Sequence, residues 1–267
     1  MFNENFFENY LKQAPLPLAV ERTQECILLS RQKFAEPILD IGCGDGIFAN
    51  ILFSKTIDVG IDPNKHELQR AKKTNKYREL IQCYGDNIPL PSNSFKTIFS
   101  NSVMEHIPDI KPVLKESFRL LDNDGRLYLT LPTDLFDKYT FGYQILNKIG
   151  MKKNGNKFST FFNKFWCHYH YYDAAGWREL FNDVGFKVEF EQEYGKKKMC
   201  MFNDLMAFFS FPGFLTRKIA NKWFWSSNWR SKYVRLMTPL VPLNFKNIEA
   251  QQGAGGLIFF ILRKDDK

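Results

Sequence analysis

The stretch ILDIGCGDGIFANIL, Ile38 to Leu52, constrains this chain more than any other. An apolar run, a turn with three glycines at every second position, and apolar residues at helical spacing read as strand, tight turn and helix. Glycine lets the backbone turn sharply and lets a ligand approach with no Cβ in the way. Carboxylates flank this turn, Asp40 before the glycines and Asp45 among them. A dinucleotide fingerprint reads G-x-G-x-x-G and offers helix N–H groups to a pyrophosphate. Here the spacing is G-x-G-x-G. A carboxylate about 4–6 Å from a pyrophosphate is repulsive by a few kcal/mol at intermediate dielectric. A positively charged nucleoside reverses the sign.

The rest of the chain alternates in kind. A polar, partly helical lead-in covers 1–37, with a helix around Leu18 to Lys33. After the first strand (38–41) and its helix, TIDVGID ends a second strand at Asp62. Pro63 suits the first turn of the next helix, NKHELQRAKK. LIQCYGD gives a third strand ending near Asp86, and FKTIFSN a fourth ending near Asn101. IKPVLKESFRLL has apolar residues at helical period, and NDGRLYLTLP is a turn followed by a fifth strand. Asp173 can cap a helix that Gly185 stops. FKVEFEQEY alternates as a half-exposed strand does, and GGLIFFILRK is a fully apolar one.

Five strand–helix alternations closed by two late strands predict an α/β fold, a doubly wound, mostly parallel seven-stranded sheet with helices on both faces. The expected organisation is one domain over 1–267. Residues 38–132 form its ligand-binding half, 133–166 an insertion or lid, and 167–194 with 253–264 the closing helix and strands. Residues 195–252 are a second, basic and aromatic helical insertion, in which Pro212 and Gly213 favour two short helices.

In an open α/β sheet, ligands sit beyond the carboxyl ends of the strands, at the switch point beside the first. The glycine turn lies there. Asp62, roughly 20 residues after the turn, stands where an acidic side chain can accept both ribose hydroxyls of an adenosine, with a plain helix cap as the less favoured reading. With GDNIPLPSNSFKTIFSNSVMEHI following at the right distances, the pattern resembles class I S-adenosylmethionine-dependent methyltransferases, in the subfamily of the ubiquinone and menaquinone methylators. Their first motif, D/E-x-G-x-G-x-G, matches at Asp40, Gly42, Gly44 and Gly46, with Cys43 inside it.

The resemblance implies S-adenosyl-L-methionine as cofactor. Asp40 and the glycine loop would hold its amino-acid end, and Asp62 with Pro63 the ribose. Asp86 would accept from the adenine amino group beside the backbone of Asn87 and Ile88, and Asn101 would lie beside the methyl group. An ammonium and a sulfonium account for an acidic turn. The fourth strand lacks the diproline motif of amino-methylating relatives, which favours transfer to oxygen or carbon. The implied acceptor is a small or amphipathic molecule such as a lipid-linked glycan or a quinone-like lipid.

His168 and His170 lie in FWCHYHYYD, on the connection that returns to the ligand edge. If that stretch is extended they share one side, and an imidazole suits a base at neutral pH. His106 follows the fourth strand and either orders its loop or takes part in chemistry. A pair of packing histidines is the competing reading of 168 and 170. No spacing suggests a metal site.

Charge is unevenly placed. Residues 1–140 hold 17 basic and 19 acidic side chains, and residues 141–267 hold 20 and 10. Over 196–246, ten basic residues face Asp204 alone, interleaved with MFNDLMAFFSFPGFL and WFWSSNW. Aromatic clusters rimmed by Lys and Arg suit an interfacial membrane surface, a substrate lid or a dimer face. An RNA surface is less favoured, because no nucleic-acid module accompanies it. Five cysteines without a CxxC pair, no secretory leader and no long apolar run suggest a cytoplasmic protein, at most peripheral at the inner membrane face. A non-catalytic S-adenosylmethionine-binding regulator and an RNA methyltransferase remain as alternatives, and the oligomeric state is open.

Overall fold

The structure, a computed structural model, describes residues 1–220, 227–241, 245–248 and 253–265. Helices α1 (Phe6–Leu11) and α2 (Leu16–Ser30) precede strand β1 (Ile38–Ile41), α3 (Ile47–Leu52), β2 (Ile57–Ile61), α4 (Lys65–Lys72), β3 (Tyr77–Ile81) and β4 (Phe95–Asn101). A single 3₁₀ turn, Met104–His106, leads to α5 (Ile110–Leu120) and β5 (Leu121–Pro132). The first insertion holds α6 (Phe141–Lys148) and α7 (Lys152–Phe165). Then come α8 (Ala174–Val184), β6 (Phe186–Lys196), α9 (Lys197–Ala220), α10 (Ser227–Met237) and β7 (Gly255–Lys264).

The seven strands pair in the order β3-β2-β1-β4-β5-β7-β6, with β7 antiparallel to both neighbours and the other pairings parallel. The expected doubly wound, mostly parallel sheet is therefore present. Strand alternation divides the core. Ile38, Phe99, Leu257, Phe259 and Ile261 face α1, α2 and α3, while Leu39, Ile41, Ile98, Ile258 and Phe260 face α5 and α8. β1 runs between β2 and β4, so the chain reverses direction across the sheet there and opens a crevice at the carboxyl edge.

Local signals set several boundaries. The Asp173 side chain accepts from the Gly176 N–H at 2.8 Å, and Gly185 closes α8 in the left-handed region. Three expectations are corrected. β3 stops at Ile81 rather than near Asp86, because its neighbour β2 runs out at Ile61 and the last pair is Ile61 with Ile81. Pro63 precedes α4 rather than entering its first turn, since the Asn64 side chain takes the N-cap and accepts from His66 and Glu67. The 195–252 insertion is not broken at Pro212 and Gly213. α9 runs through them for 24 residues, its N-terminal part packed along α2. Pro212 thus lies inside the helix despite the roughly 3 kcal/mol that an interior proline costs. The side chains of WFWSSNW, with those of Arg217, Lys218 and Lys222, lie outside the described residues. Among the described residues no helix is long and apolar enough to cross a membrane.

Candidate active site

Two cavities open at the carboxyl edge beside β1 and β4. The first, about 290 Å³, is lined by Gly42, Asp62, Pro63, Cys83, Tyr84, Asp86, Val103, His106 and Asp109 among others. Among the described residues, three carboxylates and no Lys or Arg border it. That balance attracts a cation and repels a polyphosphate.

The glycine turn differs from residue to residue. Gly44 has φ +53°, and a Cβ built on it meets nothing within 4 Å, so this residue leaves open space for a ligand. A Cβ on Gly42 would come within 2.5 Å of Val103, and one on Gly46 within 3.0 Å of the Ala71 backbone. Those two glycines are needed for close packing. Cys43 is buried, and its N–H and that of Gly42 both donate to the Ile61 carbonyl at 2.9 Å. Asp62 braces the turn: its Oδ2 accepts from the Gly44 N–H at 3.0 Å and its Oδ1 from the Asn64 N–H at 2.8 Å. Each oxygen keeps a lone pair for a ligand hydroxyl.

Other expected positions lie elsewhere. Asp40 is not on the rim. It is only 3 % exposed, accepts from the Tyr77 hydroxyl at 2.7 Å and lines neither cavity. A central parallel strand is covered on both faces, so alternation turns Asp40 into the helix layer opposite Leu39 and Ile41. Burial pushes its carboxyl up to about 7, against the Tyr77 hydrogen bond. The acidity of the cleft comes from Asp62, Asp86 and Asp109 instead. Ile88 is buried with its N–H donated to Glu116 at 2.9 Å, and neither it nor Asn87 lines the cleft. Asn101 donates to Glu25 at 2.9 Å and accepts from Thr130 at 3.0 Å, outside both cavities.

The second cavity, about 340 Å³, is largely apolar, with Leu18, Phe136, Phe162, Trp166, Met199 and Leu257 in its wall. Its polar end carries Glu21, Arg22, Ser102, Glu105, His106 and His168. His106 lines both cavities and joins them. His106 and His168 lie with ring centroids 5.2 Å apart. His170 is not brought here: its Nε2 lies 2.9 Å from the Ile107 carbonyl and its Nδ1 3.1 Å from the Tyr172 hydroxyl.

His168 is oriented from behind. The Asn163 amide nitrogen donates to buried Asp137 at 2.9 Å, which turns the Asn163 oxygen toward His168 Nδ1 at 3.2 Å. Nδ1 therefore carries the proton and Nε2 the lone pair. Burial, with repulsion from His106, lowers the His168 pKa to about 4, so the ring is neutral at pH 7. Burial also lowers that of His106, whose Nδ1 faces the Cys167 carbonyl at 3.3 Å.

Sequence reasoning missed the groups that hold this end together. Glu25, fully buried on α2, accepts from Arg22, Asn101, Ser102 and Tyr194. Glu105 is buried, and neither its Oε2 nor Asn203 Oδ1 on the same cavity wall has a hydrogen-bond partner among the described residues. These contacts join segments far apart in sequence, so no local spacing announces them.

Burial pushes the Glu105 carboxyl from its ordinary 4.5 up to about 8. The folded protein thus holds a proton that the unfolded chain releases near pH 4.5. The resulting stability is complete below that pH and is lost as pH rises through about 8. Glu105→Gln removes this dependence. At pH 9 the variant is expected to exceed the wild type by a few kcal/mol, at most about 5, with little difference at pH 4. Urea unfolding at the two pH values checks this, and the same loss of stability with pH in both proteins would contradict it.

Residues 39–129 match the methyltransferase-domain family. YrhH of Bacillus subtilis (strain 168) is 30 % identical over 118 residues, covering 41 % of this chain and 64 % of YrhH. The ubiquinone/menaquinone biosynthesis C-methyltransferase UbiE of Rickettsia bellii (strain RML369-C) is 30 % identical over 141 residues, covering 45 % of this chain and 56 % of that protein. This chain thus spans less than two thirds of either relative. An S-adenosylmethionine-dependent methyltransferase from Thermotoga maritima superimposes with a TM-score of 0.52 at 15 % identity, over 93 % of this chain and 90 % of that one, which shows a shared fold. Residues 39–129 thus match a methyltransferase domain and the chain shares the class I methyltransferase fold, a family whose cofactor is S-adenosyl-L-methionine.

Proposed function

We propose that this chain methylates an oxygen or carbon atom of a small or amphipathic acceptor held in the larger cavity, with a lipid-linked glycan or a quinone-like lipid as candidate acceptors. The carrying observation is the meeting of two unlike cavities at His106, one acidic and bordered by the glycine turn, the other apolar with a polar end. The residues fit the cofactor: Gly44 leaves room, Asp62 can accept from a ribose, Asp86 can accept from an adenine amino group, and no basic side chain among the described residues opposes a cation. When bound, S-adenosylmethionine supplies a methyl group already activated on a sulfonium.

The protein's own part is then to position the acceptor and exclude water. Phe136, Phe162, Trp166 and Met199 surround its apolar body. His168 Nε2 accepts the hydrogen bond of an acceptor hydroxyl and takes its proton as the new bond forms. His106, neutral and shared by both cavities, borders the line of transfer. A carbon or oxygen acceptor accords with the likeness to a ubiquinone/menaquinone C-methyltransferase and to a ubiquinone-biosynthesis O-methyltransferase.

Mass spectrometry of lipid and glycan extracts from cells with and without the gene tests the reading. One species is expected to lose a single methyl group when the gene is absent, and purified protein with labelled S-adenosylmethionine should restore it. Tight cofactor binding with no transfer to any fraction would instead mark a binding regulator.

A further inference from the structure

The geometry points to a second functional surface: the α6–α7 hairpin is a docking face for an anionic lipid membrane. Over residues 141–166 the chain has five lysines (148, 152, 153, 157 and 164) and no Asp or Glu. The exposed large apolar side chains of this hairpin are Ile145, Ile149, Met151, Phe161, Phe165 and Trp166, with Ile149, Phe161 and Phe165 near 60 % exposed. Six such groups in 26 residues are more than the scattered apolar residues of an ordinary surface.

Helix geometry gathers them on one side. A Cβ on Gly142 would meet the Phe158 ring at 2.6 Å, and one on Gly155 would meet Asn147 at 2.8 Å, so the two helices touch in antiparallel register. Ile145 and Ile149 lie three and seven residues beyond Gly142. Phe161 and Phe165 lie three and seven beyond Phe158. Equal offsets from the contact, on antiparallel helices, place both pairs on the same side of the hairpin. Lys148 and Lys164, six residues beyond the same contacts, flank the apolar strip on its outer edges.

An apolar strip edged by lysines, with a tryptophan at its end, is complementary to acyl chains below and anionic headgroups above. Lysine stems can lie along the strip while their ammonium groups reach the headgroups. Trp166 connects the surface to the site. It packs edge-on against Phe165 at 5.1 Å and lines the larger cavity with Phe162. An amphipathic acceptor would pass from the lipid into the cavity beside these two rings. That route rests on the acceptor reading above, whereas the docking face does not.

Flotation with phosphatidylcholine vesicles and with phosphatidylglycerol-rich vesicles tests the proposal on the full chain. The wild type should float with the anionic vesicles. Phe161→Ser/Phe165→Ser should weaken this partition about 100-fold. Lys148→Gln/Lys157→Gln/Lys164→Gln should weaken it roughly 30- to 100-fold on anionic vesicles, with no change on neutral ones. Wild-type flotation with neither vesicle, or equal flotation of all three proteins, overturns the proposal. So does retention on a short RNA, or self-association lost in the variants, without vesicle binding. S-adenosylhomocysteine affinity is read in parallel. Its absence in all three proteins would overturn the methyltransferase reading and leave the flotation result standing.

Discussion

Gly44→Val is expected to weaken S-adenosylhomocysteine binding more than about 100-fold, or about 2.7 kcal/mol, while leaving the protein folded. The two effects separate because of where the side chain would go. A Cβ at Gly44 meets no atom of the described residues within 4 Å, so the added carbons clash with nothing there and, if the cofactor lies against this turn as proposed, project into its place. Its φ of +53° adds strain of roughly 1–2 kcal/mol for a non-glycine residue. Gly42→Ala gives the contrasting result. There the new methyl presses on Val103, and stability falls together with affinity. Calorimetric titration and urea unfolding of both variants check the pair. Wild-type affinity in Gly44→Val would contradict the placement of the ligand against this turn.

His168→Ala is expected to lower kcat for an oxygen acceptor by about 10²- to 10⁴-fold, the usual range for losing a general base, with S-adenosylhomocysteine affinity unchanged. The chain Asp137–Asn163–His168 gives this prediction a second readout. Asn163→Ala releases the imidazole from its fixed tautomer and should cost part of the same factor without removing the ring. With a His168 pKa of about 4, the base form prevails from pH 6 to 8, and its contribution is lost only as pH falls through about 4. Transfer of labelled methyl to the isolated acceptor fraction measures all three effects. An unchanged rate in His168→Ala would leave the residue a packing role only.

Much of the fold was legible because its signals are local. The apolar runs of β1, β4 and β7 stand between turn residues and appear at the expected positions, and Asp173 with Gly185 brackets α8. Where neighbours decide, the sequence misled. The extent of β3 depends on how far β2 runs, and its exposed Arg78 and Glu79 do not look like a core strand. The breakers Pro212 and Gly213 sit inside α9 without ending it.

The site divides in the same way. Gly42, Asp62, Asp86, His106 and His168 were visible as motif or composition, and they do border the two cavities, whereas Cys43, Gly44 and Gly46 of the same turn line neither. Asp40 shows the limit of that reading. Its place in the motif suggested a cleft carboxylate, but strand alternation buries it against Tyr77. Glu25, Glu105, Asp137 and Asn203 were invisible because each acts through residues brought near only by the fold.

The central claim is that the acidic cleft at the end of β1 was built for a positively charged nucleoside. Calorimetric titration of the wild-type chain with S-adenosylmethionine and, separately, with NAD tests it most directly. The account predicts saturable binding of the sulfonium compound, weakened by Asp62→Ala, and no measurable uptake of NAD. Tight binding of NAD with none of S-adenosylmethionine would contradict it.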